Sequence, residues 1–468
     1  MAFNQLLFPF IFLPVSVLLF AVVPGRFKKL TLLILSAVFI AWGNPGDLLL
    51  IFLSVAFNYA SACEIAYLKK RRQAKKARNV LIASVVVDLL MLGFFKYYNF
   101  AAENVGALLH ANIAKNTMAA PVGISFFTFS VLSALFDVYR DNAPAPKNPL
   151  DFALFVSFFP KLSSGPIIQY KDMMPQMEAL SVTKDRLESG LRVFVVGLAK
   201  KVLLANTLGL AFTAVSDLPT AELSMVTAWI GALSYTFMLY FDFSGYSDMA
   251  VGLGRVFGFH LPQNFQYPYC SDSVSVFWRR WHASLGAWFR DYVYIPLGGS
   301  REGDGKTVRN LLVVWLLTGV WHGANWTFLV WGLYHGLILI LEKFVFAGVI
   351  EKLPTAVRRV VSFLLVTFGW VFFFSPGLGS AVGFLGSMFR VTRFIDSTAL
   401  YYLGGNWILF LICIVGCTPV VRNLAVNLKK RGYRWFYVAG AAVFALLFIL
   451  CVAGMVSDTY SSFLYAQF

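Results

Sequence analysis

Long apolar runs separated by short polar or basic stretches dominate the chain. A helix needs about 20 mostly apolar residues to cross the hydrocarbon core of a bilayer, whereas a transmembrane barrel strand needs only about 10 alternating ones. The runs have helical length and show no strict alternation, so the pattern predicts an all-α polytopic membrane protein. The clearest are residues 6–23, 30–42, 48–67, 80–95, 121–140, 197–215, 228–245, 311–336, 360–374, 407–420 and 436–455.

From these runs we expect about eleven transmembrane helices plus re-entrant segments, within a single integral-membrane domain over residues 1–468. Residues 101–118 are polar enough to predict an outer loop, and residues 171–192 predict a cytoplasmic segment. The run 381–389 is too short to span the membrane alone.

One apolar stretch, residues 151–170, is interrupted by Pro160, Lys161, Gly165 and Pro166. A broken helix at membrane depth is tolerated where protein or a water-filled cavity covers its freed backbone groups. We interpret the stretch as a re-entrant segment that lines a cavity, and an interfacial loop is the alternative.

Composition agrees with a membrane protein, because 59% of the residues are hydrophobic and only 13% are charged. The net charge is +16, and Lys and Arg gather in short loops such as residues 26–29, 69–78 and 429–434. Cytoplasmic loops of membrane proteins carry this excess, so the charge predicts contact with membrane lipid rather than nucleic acid. The five cysteines form no CxxC pair, and we expect no metal site.

His322 lies deep in an apolar run, twelve residues beyond Asn310. At about 1.5 Å per residue this is roughly 18 Å, past the middle of a core about 30 Å thick. Desolvation favours the neutral imidazole, which can act as a general base toward a hydroxyl. Trp321 and Asn325 lie beside it, and Asn325 is predicted to orient the ring or to donate to an oxyanion. A histidine that only links helices is the alternative.

His282 lies in a segment rich in arginine and tryptophan. Arginine forks match phosphate geometry, so this segment suits a phosphate-bearing donor that enters from the cytoplasm, and depth places His282 at the cytoplasmic mouth. An interfacial anchoring helix is the alternative. The neighbouring candidates for substrate binding are Arg279, Arg280, Trp281 and Arg290.

Two acids, Asp242 and Asp248, lie near the end of an apolar run and need partners there. Arg279, Arg280 and Arg290 are the candidates. Lys200 and Lys201 are expected to reach lipid headgroups.

The spacing of the glycines around Gly252 does not match that of a nucleotide-binding loop. We expect these glycines to allow close packing between helices instead.

The pattern WRRWHASLGAWFRDYVYIPLGGS, residues 278–300, followed by LLTGVWHGANWTFLVWGLYHG, residues 316–336, resembles the membrane-bound O-acyltransferase (MBOAT) family, and in particular its bacterial branch that acetylates alginate. The motifs PVGISFFTF, FFPKLSSGPI, GLAKKVLLAN, YFDFSGYSDMAVGLGRVFGF and the final SSFLYAQF, residues 461–468, extend the resemblance over nearly the whole chain.

This resemblance implies that His322 is the buried catalytic histidine and His282 the second histidine of the site. It implies an O-acetyltransferase of the bacterial cytoplasmic (inner) membrane that passes an acetyl group from a cytoplasmic thioester, expected to be acetyl-CoA, across the membrane for O-acetylation of an exported polysaccharide such as alginate. No bound cofactor is expected, and a periplasmic acetyltransferase partner is implied.

Three alternatives remain. Within the family they are a peptidoglycan O-acetyltransferase and a teichoic-acid D-alanyl transfer subunit. Outside it, a transporter or polymer-export channel would be expected to show two similar halves with matched broken helices, and the sequence has no such pairing.

Overall fold

The computed structural model describes residues 1–457, and this part of the chain is built from helices joined by short connections, without a strand. The all-α polytopic prediction is therefore confirmed. The final motif of the resemblance, residues 461–468, falls outside the described residues. The α-helices are α1 (Leu13–Val22), α2 (Lys28–Ala41), α3 (Pro45–Lys70), α4 (Ala74–Leu109), α5 (Ile124–Tyr139), α6 (Pro149–Ser157), α7 (Phe159–Leu162), α8 (Tyr170–Met173), α9 (Lys184–Ala199), α10 (Asn206–Ser216), α11 (Met225–Val256), α12 (Val274–Arg280), α13 (Ala283–Phe289), α14 (Asp304–His322), α15 (Trp326–Phe344), α16 (Ala347–Ile350), α17 (Thr355–Phe374), α18 (Leu378–Ser387), α19 (Ser397–Gly416), α20 (Val420–Lys430) and α21 (Arg434–Ser457).

Seven helical stretches in residues 1–457 are long and apolar enough to cross a membrane, and three shorter apolar helices accompany them. The number of spans, about eleven, stays a prediction. The seven are Pro45–Lys70, Ala74–Leu109, Lys184–Ser216, Trp326–Phe344, Thr355–Phe374, Ser397–Gly416 and Trp435–Ser457.

The predicted outer loop, residues 101–118, is helical over its first half, and that part of the prediction was wrong. Helix α4 continues through residue 109 and ends at His110, which has a left-handed φ of 48°. Residues 101–109 contain good helix formers such as Ala, Glu and Leu, so local polarity did not end the helix. Residues 171–192 include the start of α9 at Lys184, which continues through a π-helical turn at Lys200–Ala205 into α10. Their cytoplasmic location stays a prediction.

Helix α11 lies at the centre of the fold and packs along α9 at very short range. A Cβ built on Gly245 would lie 2.7 Å from the backbone oxygen of Gly197, and one on Gly252 would lie 2.5 Å from that of Gly190. Only glycine permits backbones to approach this closely. The prediction that Gly252 serves helix packing rather than a nucleotide loop is thus supported.

The broken stretch 151–170 is buried, as expected for a re-entrant segment. It forms α6 and α7 and then continues without regular secondary structure until α8 begins. Its freed N–H groups bond to side chains of other elements: Phe159 N–H donates to Ser36 Oγ at 3.1 Å and Ile167 N–H to Ser284 Oγ at 2.9 Å. Because Ser284 belongs to α13, the segment lies directly against the helix that follows His282.

Candidate functional site

The first histidine of the site, His282, lies where the chain reverses between α12 and α13. It adopts a left-handed backbone with φ of 45°, a conformation in which His, Asn and Asp are enriched. The reversal turns the imidazole inward, and His282 is only 3% exposed. Its location at the cytoplasmic mouth stays a prediction, whereas its burial against other side chains was not foreseen. A pattern of apolar and basic residues does not reveal a reversal of this kind.

Asn264 fixes the position of His282, and sequence reasoning missed this residue. Its Oδ1 accepts the N–H of Ser284 at 3.2 Å and lies 3.4 Å from His282 Nδ1. Its backbone oxygen accepts the N–H of Ala283 at 3.0 Å. Because Oδ1 is an acceptor, the contact favours the tautomer with the proton on Nδ1. Asn264 lies in an irregular segment, where no apolar run indicates how deep in the membrane a residue lies.

The second histidine, His322, is the last residue of α14 and is 2% exposed. Helix α14 runs without a break from Asn310 to His322, so the expected rise of about 18 Å holds. The imidazole is enclosed by aromatic rings, with centroid distances of 4.8 Å to Trp331 and 5.1 Å to Phe373.

The two histidines come together at one small space, which we call the inner cavity. Its volume is about 90 Å³, and its wall contains His282 and His322 together with Trp278, Trp281, Leu285, Gly286, Phe289, Val314, Trp315 and Thr318. Trp321 packs against both imidazoles, at centroid distances of 6.1 Å to His282 and 4.9 Å to His322. The structure therefore brings together His282, His322, Trp281 and Trp321.

A larger outer cavity of about 1160 Å³ adjoins the inner one. Arg279 and Arg290 line it as predicted, together with Lys343 and Arg358, whereas Arg280 is not part of its lining. The predicted arginine cluster is thus divided. Three acids also line the cavity: Asp272, Glu342 and Glu351.

Two of these acids have structural partners. Glu342 accepts the N–H groups of Val274 and Ser275 at 2.6 and 2.8 Å, and so caps the N-terminus of α12. Asp272 lies 3.6 Å from Arg358. Arg290 forms an ion pair with its neighbour Asp291 at 2.7 Å.

Asn325 does not reach His322 through its amide group in the way we predicted. Its Oδ1 accepts the N–H of Thr327 at 3.1 Å, and its Nδ2 donates to the backbone oxygen of Pro376 at 3.0 Å. Asn325 is the N-cap of α15. Asparagine is favoured at this position because its side-chain oxygen satisfies an otherwise unpaired N–H.

The acids Asp242 and Asp248 have lysine partners, so the arginine partners we expected were wrong. Lys201 Nζ lies 2.6 Å from Asp242, and both side chains are almost fully buried. Lys200 Nζ lies 2.6 Å from Asp248. The expectation that these lysines reach lipid headgroups was also wrong. The close packing of α9 and α11 directs them inward, and sequence separation concealed the pairing.

Lys96 and Tyr97 support the end of α14, and the sequence analysis missed both. Lys96 Nζ donates to the backbone oxygen of Trp321, and Tyr97 Oη donates to that of Val320 at 2.7 Å. The last carbonyls of a helix lack intrahelical donors and need partners of this kind. Lys96 follows immediately after a predicted span, so it resembles an ordinary membrane-edge lysine.

His335, a third buried histidine, lies beside the cavities. Its Nδ1 accepts the indole N–H of Trp278 at 3.3 Å, and its ring packs 4.8 Å from that of Trp278. His335 thus holds one wall of the inner cavity without lining it.

Comparison with known proteins defines the class. The family model described as "MBOAT, membrane-bound O-acyltransferase family" matches residues 38–379. The chain belongs to the membrane-bound O-acyltransferase family and is a multi-pass membrane acyltransferase.

Among its relatives, the chain is 37% identical to a probable alginate O-acetylase AlgI of Pseudomonas putida over 100% of both chains. It is 37% identical to a peptidoglycan O-acetyltransferase of Helicobacter pylori, covering 82% of this chain and 79% of that one. A teichoic acid D-alanyltransferase of Bacillus subtilis is 29% identical, covering 64% of this chain and 79% of the relative. The resemblance stated from the motifs is confirmed.

Proposed function

We propose that the chain is an O-acetyltransferase of the bacterial inner membrane that carries an acetyl group from cytoplasmic acetyl-CoA toward an exported polysaccharide such as alginate. Residues 1–468 act as one integral-membrane acyltransferase domain. The observation that carries the proposal is the pair of buried histidines on one small cavity, next to a large cavity lined by four basic and three acidic side chains.

The outer cavity suits the donor. Coenzyme A carries phosphates, and Arg279, Arg290 and Lys343 supply positive charge along the cavity wall. The thioester end of the donor then points toward the inner cavity, because residues such as Trp278 line both spaces. Arg280, which lies outside the lining, has no assigned contact with the donor.

The reaction proposed at the inner cavity is acyl transfer with base catalysis. His322 takes the proton from the acceptor hydroxyl, and the hydroxyl oxygen attacks the carbonyl carbon of the thioester. The tetrahedral intermediate then expels the sulfur as the C–S bond breaks. The protonated His322 returns its proton to the sulfur, so the products are an acetyl ester and the free thiol of coenzyme A.

His282 positions the reacting groups across the cavity from His322. Asn264 orients its ring through Nδ1, and the side chain lies on the wall of the inner cavity where a reacting group would be held. Trp281 and Trp321 pack around the two imidazoles and keep water away from the thioester. A periplasmic partner would complete transfer of the acetyl group onto the polymer.

The test uses inverted inner-membrane vesicles that contain the full chain. We expect labelled acetyl-CoA added outside the vesicles to yield labelled acetate on material inside them, and His322→Ala to abolish the label. Labelled D-alanine from a carrier-protein thioester is supplied in parallel. Incorporation of D-alanine instead of acetate would contradict the proposal and favour the teichoic-acid alternative. Acetate on purified peptidoglycan rather than on exopolysaccharide would favour the peptidoglycan alternative.

A further inference from the structure

The boundary between the outer and inner cavities is formed by three residues that line both: Trp278, Gly286 and Trp315. We call these three residues the neck. On one side lies a space of about 1160 Å³, and on the other a space of about 90 Å³ that contains the two histidines. The neck therefore lies between the outer cavity and the space that contains the two histidines.

Gly286 leaves room at the neck. A Cβ built on this residue meets only the backbone oxygen of Trp278, at 3.9 Å, so a side chain would enter unoccupied space rather than another part of the protein. The nearby Gly332 differs, because its Cβ would lie 2.4 Å from the backbone oxygen of Trp315. Gly332 is required for helix packing, whereas packing does not explain the glycine at position 286.

The opposite walls of the neck are held firmly. The indole N–H of Trp278 donates to His335 Nδ1, and its ring packs edge-on against Trp315 at 4.7 Å. Trp315 in turn lies against Gly336, where a Cβ would come within 3.1 Å of it. Both tryptophans are therefore held by contacts with α15, through His335 and Gly336.

The inner cavity is small beyond the neck. Its volume of about 90 Å³ is less than a tenth of the outer cavity's volume of about 1160 Å³. Leu285 and Phe289 close it with buried apolar side chains. An acetyl group places the fewest atoms in this space, and each methylene added in a propionyl or butyryl group must share it with Leu285 and Phe289.

We propose that the neck and the inner cavity together form an acyl-length filter, in which Gly286 admits the slender thioester arm and Leu285 limits the acyl group to a short chain. The filter rests on the proposed function, because it takes the donor to be an acyl thioester of coenzyme A. It adds a specificity-determining role for Gly286 and Leu285.

The experiment measures release of coenzyme A thiol by vesicles containing the full chain, with acetyl-, propionyl- and butyryl-CoA as alternative donors. For the wild type we expect kcat/KM to fall with each added methylene, by roughly tenfold or more. Leu285→Ala enlarges the inner cavity, so the preference for acetyl over butyryl should fall by about tenfold. Gly286→Leu obstructs the neck, so kcat/KM should fall by roughly tenfold or more for every donor, with Gly286→Ala intermediate.

Gly404→Leu is the matched control, because Gly404 lies on α19 with no atom within 4 Å of a built Cβ. It should leave kcat/KM unchanged for all donors. Equal amounts and equal melting temperatures of the purified variants exclude misfolding as the cause. The filter is overturned if the wild type uses acetyl- and butyryl-CoA equally well, or if Gly286→Leu matches the wild type. Release of thiol from none of the donors would instead overturn the proposed donor, and the filter with it.

Discussion

Two regions of the molecule contain buried polar groups, and these groups have different roles. Between α9, α10 and α11, charges meet opposite charges: the buried Lys201 pairs with Asp242, and the partly exposed Lys200 pairs with Asp248. Between α12 and α15, His282 and His322 instead face a cavity. A buried ion pair without a cavity holds helices together, whereas buried bases around a cavity can meet a substrate. The difference between a packing role and a chemical role therefore lies in what the polar group faces.

Among the substitutions that test the difference between the two regions, we expect His282→Ala to have the largest effect. General acid–base and positioning groups contribute about 10²–10⁴-fold to rates, so we expect His282→Ala to lower acetyl transfer by at least about 10²-fold. His260→Ala is the matched control, since His260 is an exposed loop histidine. Transfer from labelled acetyl-CoA measures both variants. A His282→Ala rate equal to that of the control would remove His282 from the site.

The next largest effect should follow from breaking the buried pair. Lys201→Met leaves the Asp242 carboxylate buried without its lysine, which costs about 3–5 kcal/mol for pairs of this kind. The double variant Lys201→Met/Asp242→Leu removes both charges and should recover much of that loss. Unfolding in detergent, followed by tryptophan fluorescence, measures the stability of both. If Lys201→Met were as stable as the wild type but inactive, the pair would belong with the catalytic region.

The smallest effect concerns Asn325, which lies close to His322 in sequence. As the N-cap of α15 it should contribute about 1 kcal/mol of stability, so Asn325→Ala should melt earlier and still transfer acetyl groups. Asn325→Ser, which keeps a capping oxygen, should recover most of the stability. Loss of transfer with an unchanged melting temperature would instead assign Asn325 to the oxyanion.

Much of the fold and part of the site could be predicted from sequence. The helical spans follow from apolar runs, and His322 follows from its depth within one run. Residues 151–170 are broken and buried, while their predicted role as a re-entrant segment that lines a cavity stays a prediction. Local pattern is sufficient in these cases because each feature depends on residues that are neighbours in the chain.

Other features depend on packing between distant segments. The burial of His282 results from a chain reversal at a left-handed residue and from its contact with Asn264. The partners of Asp242 and Asp248 result from the close approach of α9 and α11 at glycines. Hydrophobic periodicity reveals neither the backbone φ angle of His282 nor the close approach of α9 to α11. The sequence therefore suggested arginines, rather than lysines, as partners of the two aspartates.

The central claim is that the histidine cavity carries the chemistry and that the lysine–carboxylate pairs carry only structure. The most direct test compares His322→Ala with Lys201→Met/Asp242→Leu in the same vesicles, at equal amounts of folded protein, with labelled acetyl-CoA. We predict that His322→Ala keeps wild-type stability and loses acetyl transfer, while the double variant retains transfer. Transfer at the wild-type rate by His322→Ala, or its loss in a stably folded double variant, would contradict the account.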